Sequence, residues 1–117
     1  MTVKKNILIT GSTRGLGYFL ASEFTKNNYN VLINGRNKNN LSKIKKKLGT
    51  DGILGDLTIT KDCKKIISYA FKKFDHIDTI ICNVGSGQSV KAGLETKKEW
   101  DRIFNLNLFS TINLINE

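Results

Sequence analysis

Short aliphatic runs alternate along the chain with longer stretches in which apolar residues recur every three or four positions, and this alternation predicts strands and helices by turns. Strand-length runs fall at about residues 6–10, with Ile7, Leu8 and Ile9; at 30–34, with Val31, Leu32 and Ile33; near 52–55; and at 78–83, with Ile80, Ile81 and Cys82. All four read as buried on both faces, the pattern of a parallel sheet covered by helices. Between them the spacing predicts helices at about 15–27, with Leu16, Leu20 and Phe24 on one stripe; at 38–48, with Leu41, Ile44 and Leu48; and at 61–74, with Ile66, Ile67 and Ala70. Thr60 is placed to N-cap the third helix and Gly49 to follow the second at its C-terminal end.

After the fourth strand comes a loop at 84–88, then a helical segment from about Thr96 with Trp100, Ile103 and Phe104 on its apolar side. From Asn107 onward Leu108, Ile112 and Ile115 repeat at helical spacing, and the chain is expected to stop inside that helix. Strands alternating with helices give an α/β class of about four parallel strands. The doubly wound rule orders them 3-2-1-4, with the fourth strand as an open edge.

With 117 residues the chain has room for one domain, and 39% hydrophobic with 25% charged residues is ordinary for a globular protein. No apolar stretch approaches the roughly 20 residues that span a bilayer. Residues 1–6 carry two lysines before only three aliphatic residues, which reads as a first strand and not a signal peptide, so a cytoplasmic location is expected. Cys63 and Cys82 lack metal-ligand spacing and are expected to stay thiols without a catalytic role, and no metal site is expected. The net charge of +9 raises nucleic acid as a partner. The excess is read as lysine spread over helix surfaces (Lys38, Lys43, Lys64, Lys72 and others), with no basic stripe and no stacking aromatics. Neither nucleic acid nor membrane is expected as a partner.

The candidate chemistry lies at residues 10–17, Thr-Gly-Ser-Thr-Arg-Gly-Leu-Gly, directly after the first aliphatic run. Gly11 turns tightly off the strand, Gly15 lets backbone approach a diphosphate and Gly17 lets the new helix pack closely. The first N–H groups of a helix lack intrahelical partners, and its dipole favours an anion there. Asp56 stands at the C-terminal end of the third strand, where ligands of open α/β sheets bind.

A lone glycine turn is weak evidence, and the weight rests on the further motifs that come after it in order and spacing. Thr-Gly-x-x-x-Gly-x-Gly at 10–17, Gly-Asp-Leu-Thr at 55–58, Asn-Val-Gly at 83–85 and Trp-x-x-x-x-x-x-Asn from Trp100 to Asn107 together resemble the N-terminal half of the short-chain dehydrogenase/reductase family. The third motif departs from Asn-Asn-Ala-Gly in having Cys82 and Val84. The resemblance implies a Rossmann-type domain, truncated after about four strands. It implies that Gly11, Gly15 and Gly17, with Ser12, Thr13 and Leu16 between and beside them, hold a dinucleotide diphosphate. Asp56 would bond the adenine with Leu57 beside that ring, and Asn83 and Gly85 would lie by the ribose. Asn107 would be the family's catalytic asparagine, at the start of its helix. Full-length members are implied to be homo-oligomers acting on a small carbonyl or alcohol.

The second strand ends Asn34-Gly35-Arg36, without the acid that binds a ribose 2′-hydroxyl. Arg36, with Arg14 from the glycine turn, suits the 2′-phosphate of NADP over NAD. Ser12, Thr13, Asn34 and Asn37 are candidates for added neutral hydrogen bonds. Hydride transfer in the family needs a Ser and a Tyr-x-x-x-Lys pair. The chain is read as holding neither: Tyr18, Tyr29 and Tyr69 all lie in the nucleotide-binding half. The reading is therefore the cofactor-binding part of an NADP-dependent oxidoreductase, inactive by itself; the alternative is a non-catalytic NADP-binding module or sensor. His76 and Trp100 are read as structural.

Overall fold

Ile7, Leu8 and Ile9 are at most 2% exposed, and Val31, Leu32 and Ile33 at most 5%, so the two strands that carry them are driven to the middle of the fold. In a computed structural model, which describes residues 3–117, these are β1 (Asn6–Ile9) and β2 (Asn30–Gly35). With β3 (Asp51–Leu54) and β4 (Thr79–Ile81) they form one parallel sheet in the order β3-β2-β1-β4, in register Ile7 to Val31 and Leu8 to Ile80. The expected strand order holds. The reading of the N-terminal leader began on Met1 and Thr2, which lie outside the described residues.

Alternation along each strand sends successive side chains to opposite faces. Ile7, Ile9, Val31 and Ile33 pack with Ala21 of α1 (Gly15–Lys26) and Leu41 of α2 (Lys38–Leu48). Leu8 and Leu32 pack on the other face with Leu57, and with Cys63, Ile66, Ile67 and Ala70 of α3 (Thr60–Phe74). Helix α4 (Lys97–Phe104) runs through a π-helical turn (Asn105–Phe109) into α5 (Ser110–Ile115), whose Leu114 joins that second layer. No helix among the described residues is long and apolar enough to cross a membrane.

Burial departs from expectation at the sheet edges. β3 is half-buried throughout, and in β4 Thr79 and Ile80 are exposed with Ile81 half-buried. The cause is position: β4 has β1 on one side and no strand on the other among the described residues. An apolar groove lined by Ile67, Phe71, Ile80, Leu114 and Ile115 opens beside it. Trp100 and Phe104 also stay exposed and lie against each other with ring centroids 6.0 Å apart.

Local chemistry explains most helix ends. Gly49 ends α2 in the left-handed region at φ 65°, where its N–H donates to Lys45 O. Asn37 caps the start of α2 by accepting from Asn40 N–H, and Thr96 caps α4 by accepting from Glu99 N–H. Thr60 does not cap α3. It is already the helix's first residue, with Ile59 as an extended residue before it and no side-chain cap.

At the N-terminal end of β3, Asp51 gathers three groups. The Tyr69 hydroxyl donates to its carboxylate, and Lys73 and Lys45 lie 3.3 and 3.6 Å from it. Burial works to raise the Asp51 pKa, but the bonds from Tyr69, Gly52 N–H and Lys73 outweigh it and hold the carboxyl below its ordinary 3.8. The same bond raises the Tyr69 pKa. A depressed carboxyl stabilises the fold above its unfolded pKa and ceases to do so as pH falls through the folded one. Tyr69→Phe is therefore expected to cost about 2 kcal/mol at neutral pH, with the loss shrinking below about pH 4; urea unfolding at pH 7 and pH 3 checks both.

Candidate active site at the glycine turn

The chain leaves β1 at Thr10 and turns at Gly11, whose φ of 58° is open to glycine and costly for other residues. This turn is tied to the end of β2 by a lace of bonds. Ser12 N–H donates to Asn34 O at 2.8 Å, Asn34 N–H returns to Ser12 Oγ at 2.9 Å, and the Ser12 hydroxyl donates to Ile9 O at 2.7 Å. The Asn34 side chain, 1% exposed, accepts from Gly11 N–H at 3.1 Å and donates to Ile53 O and Gly55 O at 3.1 and 3.2 Å. One buried amide thus joins the glycine turn, β2 and the end of β3.

Two expectations change as a result. Ser12 and Asn34 have their polar atoms committed inside the protein, and Asn37 gives its Oδ1 to the cap of α2, so among the described residues only the Thr13 hydroxyl and the Asn37 amide N–H groups of the four neutral candidates have no protein partner. Leu57 turns its side chain into the core at 2% exposure, and its carbonyl accepts from Asn113 Nδ2 and Cys63 Sγ.

Helix α1 begins at Gly15 with its amide end unfilled. Arg14 is the N-cap and supplies no side-chain acceptor, and the first turn holds no acid. Gly15 has φ 58° and open space where a Cβ would stand. A Cβ on Gly17 would come within 2.3 Å of Gly11 O, so that glycine is required for the helix to sit on the turn. Unfilled amides, an open approach and a helix dipole suit a diphosphate. Gly35, where a Cβ would stand 2.5 Å from Thr13 Cγ2, packs the end of β2 on the same turn. Arg36 and Arg14, each one residue further along, thereby leave the backbone at neighbouring points. Both are exposed, and neither has an ion pair among the described residues.

The other predicted residues ring this turn. Asn83 donates through its amide to Gly11 O at 3.0 Å, and its N–H donates to Thr10 Oγ1. Asp56 Oδ1 accepts from Thr58 N–H and its hydroxyl at 2.9 and 2.7 Å. Asn107 grips the backbone of Ser86: its amide donates to Ser86 O at 3.0 Å and its Oδ1 accepts from Ser86 N–H at 2.8 Å. Gly85 has no room for a Cβ there, since Asn107 Oδ1 would be 2.8 Å away. Asn107 does not begin a helix. It sits inside the π-helical turn, where its amide also donates to Ile103 O.

Tyr69 and Lys73 do stand at Tyr-x-x-x-Lys spacing, contrary to the sequence reading. Both attach to Asp51 at the N-terminal end of β3, opposite the strand ends where the glycine turn lies. His76 likewise has a partner, Asp78 at 3.4 Å, beside β4's N-terminal end. Burial pushes both cysteine thiols above their ordinary pKa, so neither is an activated nucleophile. No group of metal-ligating side chains occurs among the described residues.

A short chain dehydrogenase family model matches residues 5–117. The chain belongs to this family. Its sequence is 40% identical over 102 residues to a chloroplastic chlorophyll(ide) b reductase of Oryza sativa, a match that covers 80% of this chain and 30% of the rice protein. Among solved structures it is similar to a 3-ketoacyl-(acyl-carrier-protein) reductase from Brucella melitensis complexed with NADH, at TM-score 0.89 and 26% identity, covering 96% of this chain and 47% of that one. It is similar also to ElxO with NADP bound, at TM-score 0.88 and 28% identity, covering 97% and 48%. The chain thus spans half or less of the length of these relatives.

The Asn34 strut gives the site's own prediction. Asn34→Ala leaves Gly11 N–H and the Ile53 and Gly55 carbonyls without their partner, at about 1–3 kcal/mol per unpaired group. It is expected to cost about 3 kcal/mol or more in urea unfolding, against about 1 kcal/mol for removing the Asn37 cap; equal losses would deny Asn34 its role.

Proposed function

We propose that this chain is the cofactor-binding part of an NADP-dependent short-chain oxidoreductase that moves hydride between NADP(H) and a carbonyl or alcohol. The observation that carries the NADP preference is the pairing of Arg14 and Arg36 beside the glycine turn, with no acid at the end of β2. The two guanidinium groups would clasp a 2′-phosphate, each offering a planar fork of donors. The amides at the start of α1 would hold the diphosphate. Asp56 keeps Oδ2 uncommitted among the described residues and would accept from the adenine amino group. Asn83 and Gly85 would border the ribose, and Asn107 would hold the Ser86 loop against the site.

The bound dinucleotide supplies the hydride; the residues here bind and orient it. Tyr69 and Lys73 are committed to Asp51, so we infer that the proton-transfer Ser, Tyr and Lys belong to a further part of the fold and that this chain alone turns over no substrate. A cytoplasmic location goes with this reading, supported by two cysteines that remain free thiols. A homo-oligomeric full-length enzyme goes with it too, supported by the exposed apolar side chains of α4 and α5, among them Trp100, Phe104 and Ile115.

Fluorescence titration tests it directly. NADPH is expected to bind at least tenfold more tightly than NADH, and Arg14→Ala with Arg36→Ala is expected to remove most of that difference while sparing NADH. Equal affinity in the parent chain would sink the preference. Steady oxidation of NADPH by this chain with simple ketones would sink the claim of inactivity.

A further inference from the structure

The charge of this chain is unevenly placed. Residues 1–50 hold ten Lys and Arg and a single acid, Glu23, whereas residues 51–117 hold nine of each sign. The entire net charge of +9 therefore belongs to the first half. A general enrichment in lysine does not explain this, because cations are plentiful in both halves; what the first half lacks is acid. Nor does helix stability explain it. Acids in a first turn favour a helix, and α3 and α4 carry Asp62 and Glu99 there, but α1 and α2 carry none. The last-turn lysines of α2 suit its dipole, yet that accounts for cations and not for missing anions.

The fold turns this asymmetry into a surface. Helices α1 and α2 cover one face of the sheet, and α3 covers the other, its five lysines set against Asp62 on the helix and Asp51, Asp56, Asp75 and Asp78 in the segments that flank it. Glu23 is matched by Lys26, and Lys45 by Asp51. Arg14, Arg36, Lys38, Lys43 and Lys46 are exposed and have no anionic partner among the described residues. Arg14 and Arg36 stand at the glycine turn, Lys38 opens α2 next to them, and Lys43 and Lys46 follow roughly 7 and 12 Å further along its axis. The positive charge thus extends along α2 as far as the diphosphate end of the fold, with Lys4, Lys5 and Lys47 adding to it at the other end.

We propose that the α1–α2 face is an electrostatic collector for phosphorylated dinucleotides, in which Lys38, Lys43 and Lys46 raise the rate of cofactor capture without touching the bound molecule. The proposal rests on the dinucleotide reading above. A cleft surrounded by one sign of charge speeds encounter with an oppositely charged ligand and leaves its escape nearly unchanged. NADPH, with the extra phosphate, is drawn more strongly than NADH.

Stopped-flow binding of NADPH and NADH to the full chain tests this at about 0.05 M salt, where the screening length of roughly 14 Å reaches along α2 but not across the sheet. The variant K38Q/K43Q/K46Q is compared with K64Q/K65Q/K72Q, which removes the same charge from exposed positions on α3. All six positions are on the surface and leave the Lys45–Asp51 pair intact. The α2 variant is expected to slow NADPH association at least threefold, to slow NADH less, to leave dissociation unchanged, and to lose its effect at 0.5 M salt. The α3 variant is expected to stay within about 1.5-fold of the parent. Equal slowing by both variants, or a change confined to dissociation, overturns the collector. A parent chain that binds neither dinucleotide overturns the cofactor reading itself, and the collector with it.

Discussion

The bonding between Ser12 and Asn34 is the constraint on which the rest of the site depends. The turn that leaves one of two adjacent parallel strands must be anchored to the other if its amides are to point anywhere fixed. Ser12 and Asn34 exchange backbone and hydroxyl bonds just beyond the paired ends of β1 and β2, and the Asn34 amide extends the connection to Ile53 and Gly55. The side chains of Ser12 and Asn34 are buried with their polar atoms satisfied, which makes the geometry stiff because each bond is costly to break singly. The start of α1, Asn83 and Asp56 take their positions from it.

Stiffness at the base is matched by incompleteness at the rim. Helix α1 starts with no side-chain cap, in contrast to α2 and α4, which use Asn37 and Thr96. An uncapped helix end costs stability on the order of 1 kcal/mol, and here it coincides with an open glycine and two cations without partners among the described residues. Stability is carried by the two apolar layers beneath, where the β1 and β2 side chains are nearly sealed from water. The Asn107 grip on Ser86 adds a second fixed rim, built on a π-helical turn in which the extra residue shifts the helical register.

Central strands, helix stripes and the glycine turn are legible in the sequence because burial on both faces leaves continuous aliphatic runs, as at Ile7 to Ile9, and because Gly11 and Gly17 have few other reasons to stand where they do. The exposure of β4 is not legible, since Ile80 and Ile81 read alike whether a neighbouring strand is present or absent. Asn34 reads as a ligand-binding group because an asparagine's chemistry is the same inside and outside; only burial among Gly11, Ile53 and Gly55 assigns it to the frame. Asn107 reads as a helix start, but a π turn has no composition of its own. The Tyr69 and Lys73 spacing escapes the sequence reading, and Asp51, 18 positions from Tyr69, shows why spacing alone would mislead: the pair faces the wrong end of the sheet.

Gly35 restricts how such a site can diversify. A side chain at that position would collide with Thr13, and Asn34 before it is locked into the frame. Of the three residues that end β2 and begin the next loop, only Arg36 is free to vary without disturbing the turn. Descendants of this chain can therefore change the charge beside the glycine turn through a single codon, while the two codons before it stay bound to the architecture.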